Sequence, residues 1–473
     1  MCCTVIANYF LAHVSIGHRG VLLRKAHVIS QTSASTQIPV DGATRRPSLI
    51  RAIGRWSLTA GVINAVIGSG IFGLPSAVTN LVGAWSPLAV LIAGCSIFIV
   101  ILCFAEVGSR FEDAGGPYLY AREAFGPAVA FQIGWLQIWT RLLSGAAALN
   151  ILVSYLGLLV PEVGTPMGRT LTMTASVALV TGINIIGVRN AAWTVNLFTI
   201  AKLTPLALLI FLGMFHLRSE VIATQVVSNS NWPEAILLLV FAYGGFESAV
   251  IAASETRNPK GDTAFALITA MATVTLVYVF VQSAVVGVLP NAAATTTPIA
   301  SALREILGSA GAKLGSIAVI ISVYGWLTGF ALMTPRILFS MAERGEMPSF
   351  LASIHYRFRT PHAAIAMNSA LVLALSLYSS FAQSATFGAI ARLCVFASTC
   401  LALILLRTHC REPAPFQLPY GRVIAVMGVA FCAWLLITRT FTQMWMLLAI
   451  IATGIAIYIV RTNRRTPGSK AIF

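Results

Sequence analysis

Twelve apolar stretches dominate this 473-residue chain, each long enough to carry a helix across a bilayer core of about 30 Å. They lie at 57–80, 86–109, 128–160, 170–188, 193–215, 233–254, 263–289, 314–341, 362–381, 386–407, 420–438 and 443–461. Too little chain remains between them for a soluble domain. The composition agrees: 57% of residues are hydrophobic and only 10% charged, where a soluble domain carries about a quarter charged. A soluble enzyme, a disordered chain and a disulfide-stapled secreted domain are all excluded. The expectation is an all-α, multi-pass integral membrane protein of the cell (plasma or inner) membrane. Residues 1–50 are polar, and residues 1–12 have neither a preceding basic cluster nor a small-residue cleavage site. A mobile cytoplasmic N-terminal tail is expected there, not a signal peptide.

The distribution of basic residues orients the bundle. With a cytoplasmic N-terminus and twelve crossings, 23 of the 31 Lys and Arg fall on the cytoplasmic side. Five fall outside (Arg169, Arg218, Arg304, Lys313 and Arg439), and three lie within spans: Arg141, Lys202 and Arg392. Both termini are therefore expected in the cytoplasm. The net charge of +16 is read as this topological bias and calls for no nucleic-acid partner. The eight cysteines form no CxxC pair and mostly sit in apolar runs, as buried packing thiols do. The outward loops contain none, so no disulfide to an obligate partner subunit is expected.

Two spans are interrupted. Span 1 carries Gly68-Ser69-Gly70, then Gly73 and Pro75; span 6 carries Gly244-Gly245. Glycine costs about 1 kcal/mol and proline about 3 kcal/mol inside a helix, and lipid offers no water to the freed backbone groups. One such break would suit glycine-mediated helix packing. Breaks in the first and sixth spans, corresponding members of two five-helix sets, point instead to an inverted-repeat transporter with a midplane site. Amides exposed at a half-helix N-terminus favour a carboxylate, and unwound carbonyls favour an ammonium. Together they suit the two charged groups of an α-amino acid.

The stretches GSGIFGLP (68–75), FAEVGSRFEDAGGPYLYAREAFG (104–126), FAYGGFESAVIAASETRNPKGD (241–262), PRILFSMAERGEMP (335–348) and RTPHAAI (359–365) resemble, in this order, those of the amino acid–polyamine–organocation transporter superfamily. The resemblance runs from about residue 52 to the end. It implies a LeuT-type fold of two inverted five-helix repeats plus two peripheral helices: residues 51–215 for helices 1–5, 216–410 for helices 6–10, and 411–473 for helices 11–12 with the C-terminal tail. It also implies carboxylate-binding amides at Ser69 and Gly70, helped by the Ser69 hydroxyl, with Gly68 among the substrate-binding residues. The amine-binding carbonyls would be those of Val66, Phe241, Ala242 and Gly244, with the Phe241 ring as a thin gate. Gln137 on span 3 would line the pocket, and either Trp326 or Phe330 would supply a span 8 aromatic.

Ionisable groups inside a membrane are functional candidates. By the same resemblance Lys202 on span 5 bridges toward the unwound part of span 1 and acts as a proton-coupling group, against a reading as a snorkelling lysine. Glu247, just past the second break, is either a proton carrier or a structural carboxylate bonded to loop amides. Arg141 and Arg392 stay charged and suit a counter-charge or a carbonyl clamp; Arg141 would disfavour cationic substrates if it faced the pocket. Glu106, Arg110, Glu112 and Asp113 read as interfacial anchors or an inner ion-pair gate.

The function implied is secondary active transport of an amino acid, small or medium-sized and neutral, coupled to protons and independent of sodium. An obligate exchanger and a polyamine permease are the alternatives. The seven histidines are scattered and no GxSxG, HExxH or P-loop occurs, so neither an enzyme nor a nucleotide-driven pump is expected. No cofactor or metal is expected; the partners are substrate, protons and lipid.

Overall fold

The computed structural model describes residues 54–111, 115–186, 191–247, 250, 259–409 and 412–464; over 191–201, 259–260, 332 and 463–464 it describes the backbone alone. The expected N-terminal tail, Glu112, Asp113, residues 248–249 and 251–258 of the third motif and the chain beyond Arg464 lie outside the described residues. Every regular element among the described residues is helical. The α-helices are α1 (Arg55–Val66), α2 (Gly70–Val82), α3 (Ser86–Ser109), α4 (Gly116–Phe125), α5 (Pro127–Gly157), α6 (Pro166–Ile186), α7 (Ala191–Phe215) and α8 (Ser219–Thr224). They continue with α9 (Trp232–Ala242), α10 (Pro259–Val288), α11 (Pro298–Glu343), α12 (His362–Tyr378), α13 (Phe381–His409), α14 (Gly421–Ile437) and α15 (Phe441–Arg464). Among the described residues, seven helical segments are long and apolar enough to cross a membrane, by length and composition, and four shorter apolar helices accompany them. Helix α11 exceeds the stretch expected at 314–341, because an N-terminal segment joins it through a bend at Gly308 (φ 66°, ψ −152°).

Helices α5 and α13 form the centre and pack on each other. Both are rich in buried small residues: Gly145, Ala146, Ala147 and Ala148 on α5, and Ser384, Ala385, Gly388 and Ala389 on α13. Small side chains let helix backbones approach where no hydrophobic driving force separates lipid from protein. Buried hydroxyls on α5 are satisfied within the helix, Thr140 by the carbonyl of Leu136 and Ser144 by that of Thr140. Helix α10 lies against α3 and α1, and α11 against α7 and α5. Helices α14 and α15 stand at the periphery, with Val423, Val426, Trp434, Ile437, Trp445 and Ile459 exposed. Such apolar faces suit acyl chains.

The recurring motifs meet in space. Tyr118, from the second stretch, donates a hydrogen bond to Glu346 of the fourth at 2.8 Å. The Arg344 guanidinium lies 6.0 Å from the centre of the Tyr118 ring. Glu106 departs from the expected interfacial anchor. Its carboxylate is fully buried and accepts from Arg407 Nε (2.6 Å), Arg407 Nη2 (2.5 Å) and the Leu418 amide (2.9 Å). This two-pronged pair clasps α3 to α13 and to the segment leading into α14. A charged group at that depth is held by full pairing and not by snorkelling.

Candidate functional site

Both expected breaks are present. Helix α1 ends at Val66, Ile67 to Ser69 are non-helical, and α2 begins at Gly70. Helix α9 ends at Ala242, followed by a turn over Tyr243-Gly244-Gly245. The two breaks press together: a Cβ at Gly70 would stand 2.9 Å from Ala242 Cα, and one at Gly245 would stand 2.4 Å from the Ala65 carbonyl oxygen. Glycine is required at 245 twice over, since its φ is +117°.

The last carbonyls of a helix have no partner within it, and inside a membrane they need one. At the end of α1, Lys202 Nζ on α7 donates to the carbonyl and to Oδ1 of Asn64, each at 2.7 Å. At the end of α9, Arg392 Nη1 on α13 donates to the Phe241 carbonyl at 3.1 Å. A cation is well placed at a helix C-terminus, where the peptide dipoles leave partial negative charge. Between the two ends stands Tyr278 of α10, buried, with its hydroxyl 3.2 Å from both the Val66 and the Ala242 carbonyls. Of the four carbonyls expected to receive a substrate ammonium, that of Phe241 thus already carries a side-chain donor, and those of Val66 and Ala242 share the one hydroxyl proton of Tyr278. A carbonyl has two acceptor positions, so each has room for a further partner.

Glu247 engages both its oxygens. Oε1 accepts from Arg392 Nε at 3.1 Å and Oε2 from the Gly245 amide at 2.8 Å. It thereby fastens the second break to α13. Gln137, Thr140 and Arg141 of α5 join Glu247, Arg392 and Val395 in lining a small polar space beside that break. Gln137 and Arg141 share a helix face at i, i+4. The Phe241 ring packs edge-on to Phe381 (6.5 Å between centres, 85°) and lies 5.8 Å from the Arg392 guanidinium.

Of the two aromatics on α11, Trp326 is the one at the break: its Nε1 would lie 3.2 Å from a Cβ on Gly68. Phe330 stacks on Trp326 (4.8 Å, 16°) but faces Gly145 and Val372 and lines a separate, largely apolar cavity with Ser176, Val180 and Asn368. Ser69 is buried at the start of α2. Gly68, Ser69, Gly70, Lys202, Phe241, Gly244, Glu247, Gln137 and Trp326 are therefore gathered round the two breaks, and Phe330 stands behind them.

Sequence reasoning missed Tyr278 and Asn64. Tyr278 lies in an apolar run with no motif; the available signal was only that a buried tyrosine hydroxyl needs a partner. Replacing it with phenylalanine should cost about 1–3 kcal/mol, because two buried carbonyls lose the one proton they share. Thermal unfolding of the detergent-purified Tyr278→Phe protein measures this; an unchanged transition would mean that the hydroxyl bridges nothing of consequence.

The amino acid permease family model matches residues 53–462. The serine/threonine exchanger SteT of Bacillus subtilis is 30% identical over 384 residues, covering 78% of this chain and 86% of that protein. The methylthioribose transporter of the same organism is 24% identical, covering 90% and 96% of the two chains. Its branched-chain amino acid permease BcaP is 26% identical, covering 91% and 97%. The family and these relatives are transporters, not enzymes.

Proposed function

The chain belongs to the amino acid permease family, and from that premise we propose that it is a secondary active amino acid transporter working by alternating access. In this reading twelve helices cross the plasma or inner membrane with both termini in the cytoplasm. The observation that carries it is the pair of broken helices, each with its C-terminal end held by a cation. Lys202 comes from the fifth span and holds the first; Arg392 comes from the tenth and holds the sixth. That correspondence supports two inverted repeats, residues 51–215 and 216–410, around a shared midplane site.

Within the site the substrate carboxylate meets the amides of Gly68, Ser69 and Gly70, at the positive end of α2. Its ammonium shares the carbonyls of Val66, Phe241, Ala242 and Gly244 with Tyr278 and Arg392. Phe241 and Trp326 flank the substrate. The two halves of span 1 differ in packing: every residue from Gly70 to Ser76 is buried, whereas α1 buries only Leu58, Thr59, Val62 and Val66. Helix α1 is therefore the half that moves, and Lys202 is its latch. Arginine stays protonated and holds α9 throughout, while a buried lysine can give up its proton. Loss of that proton would weaken the grip on Asn64 and free α1. Glu247, with both oxygens engaged, is assigned to holding the second break.

Exchange is the second reading, supported by the exchanger among the relatives. Polyamine transport is disfavoured by two guanidinium groups beside the site.

Uptake of a labelled amino-acid panel into proteoliposomes tests the proposal, with an inward proton gradient, with and without sodium, and with unlabelled amino acid preloaded. Sodium-independent accumulation driven by the gradient is expected. Uptake confined to preloaded vesicles would establish exchange, and none under any condition would refute amino acid transport. In Lys202→Met, gradient-driven accumulation should fall to simple equilibration. Full pH-driven accumulation in that variant would remove Lys202 from coupling.

A further inference from the structure

With both termini inside, the N-terminal ends of α9 and α13 and the connection from α14 to α15 stand at the outer face. Helix α13 closes that face over the site. Its first residue, Phe381, meets both interrupted spans: a Cβ at Gly73 of α2 would stand 2.6 Å from Phe381 Cε1, and the ring packs edge-on to Phe241. Ser76 shares the Gly73 face of α2 at i, i+3 and lies between the break and the outer end. Its hydroxyl is buried and has no hydrogen-bond partner among the described residues. Such a group costs free energy until water reaches it, as on a path that is dry when shut and wet when open.

Three elements converge on one carboxylate at this face. Glu234 stands in the first turn of α9, where the Asn231 side chain already caps the helix by accepting from the Glu234 amide at 3.2 Å. The Glu234 carboxylate turns to other helices instead. Oε1 accepts from Thr386 of α13 at 3.2 Å, and Oε2 accepts from Arg439 in the α14–α15 connection. The Arg439 side chain is 2% exposed and that of Glu234 23%. Two more bonds aim the guanidinium: Nε donates to the Leu435 carbonyl at 2.8 Å and Nη2 to the Thr438 hydroxyl at 2.9 Å. Leu435 belongs to the last turn of α14, whose carbonyls lack helical partners.

We propose that Glu234 and Arg439 form an outer latch, by which the peripheral α14–α15 pair, outside the two repeats, keeps the path to the site shut. The inference rests on the alternating-access reading. Arg439 is a positioning residue: it fixes the Glu234 carboxylate where Thr386 reaches it. Thr386 and Phe381 belong to one helix, so withdrawing Phe381 from Gly73 and Phe241 also breaks the bond to Glu234. Opening then admits water to the ion pair and weakens it. The latch is therefore stronger in the closed state, and that difference biases the equilibrium.

Ser76→Cys is a near-isosteric probe of the path. In right-side-out membrane vesicles bearing the full chain, an impermeant thiol reagent should modify it slowly; the protein with Ser76 intact gives the background from the native cysteines. Adding Arg439→Gln should speed modification by about threefold or more. Glu234 is partly in water, so this variant keeps a solvated carboxylate. Thr386→Val removes the other arm without unbalancing charge and should act in the same direction. Arg439→Lys should restore part of the protection. Uptake of external L-serine gives a second readout: in Arg439→Gln the apparent KM and the maximal rate should fall together, since more of the protein waits open to the outside and closes less readily. A merely structural contact would lower the maximal rate through lost protein and leave KM unchanged.

Unchanged modification of Ser76→Cys in both Arg439→Gln and Thr386→Val would overturn the latch and leave the transport reading intact. So would modification that is already fast before either change. The expected rise in modification, with no uptake of L-serine or any other amino acid by the wild-type protein, would instead uphold the latch and overturn amino acid transport.

Discussion

Replacing Gly245 with alanine is expected to abolish transport and to destabilise the folded protein by several kcal/mol. Two effects combine. The residue has φ of +117°, a region that an L side chain enters at a cost of about 1–3 kcal/mol. The added methyl would also stand 2.4 Å from the Ala65 carbonyl oxygen, a backbone atom that cannot swing aside as a side-chain tip can. Relief requires the two breaks to separate. Separation pulls the Val66 and Ala242 carbonyls apart and away from the single hydroxyl that reaches both. Gly126 supplies the control. It too has positive φ, +87°, yet nothing lies within 4 Å of where its Cβ would be. Gly126→Ala should cost only the backbone strain and leave transport measurable. Comparable uptake by the two variants would show that contact between the breaks is not needed for function.

The second large effect concerns the Glu247–Arg392 pair, whose side chains are only 10% and 7% exposed. Removing one member of a buried pair costs about 3–5 kcal/mol, because the other charge is left without compensation. The two deletions should be unequal. Glu247→Leu leaves Arg392 and Arg141 facing each other with no anion in the described lining. Arg392→Leu leaves Glu247 with the Gly245 amide and with Arg141 nearby. Glu247→Leu is therefore expected to unfold at the lower temperature, and it should be the less abundant of the two in membranes. Equal transitions would mean that Arg141 does not share the field of this pair. The double variant Glu247→Leu with Arg392→Leu should regain much of the stability but none of the transport, since the Phe241 carbonyl has then lost its cation.

Much of the site was legible in the order of residues. The breaks at Gly68-Ser69-Gly70 and Gly244-Gly245 were readable because glycine and proline act on the chain locally. Lys202 was readable because a lysine deep in an apolar run is conspicuous. Tyr278 was not, since a tyrosine in an apolar helix has the same local pattern whether its hydroxyl meets two carbonyls or one. The choice between Trp326 and Phe330 was also closed to sequence. The two residues sit about one turn apart on α11, and only the approach of Gly68 distinguishes the faces they occupy.

The sequence alone determined the quantities that depend on local chemistry: an all-helical chain of apolar segments, the interruption of two of them, and the ionisable groups inside them. The tertiary structure alone decided how those groups are partnered. Lys202 is 138 positions from Asn64, Arg392 is 151 from Phe241 and 145 from Glu247, and Arg407 is 301 from Glu106. No local propensity encodes such a pairing. It is fixed when the helices close on one another and each buried charge and orphaned carbonyl must find a partner in a medium that supplies no water.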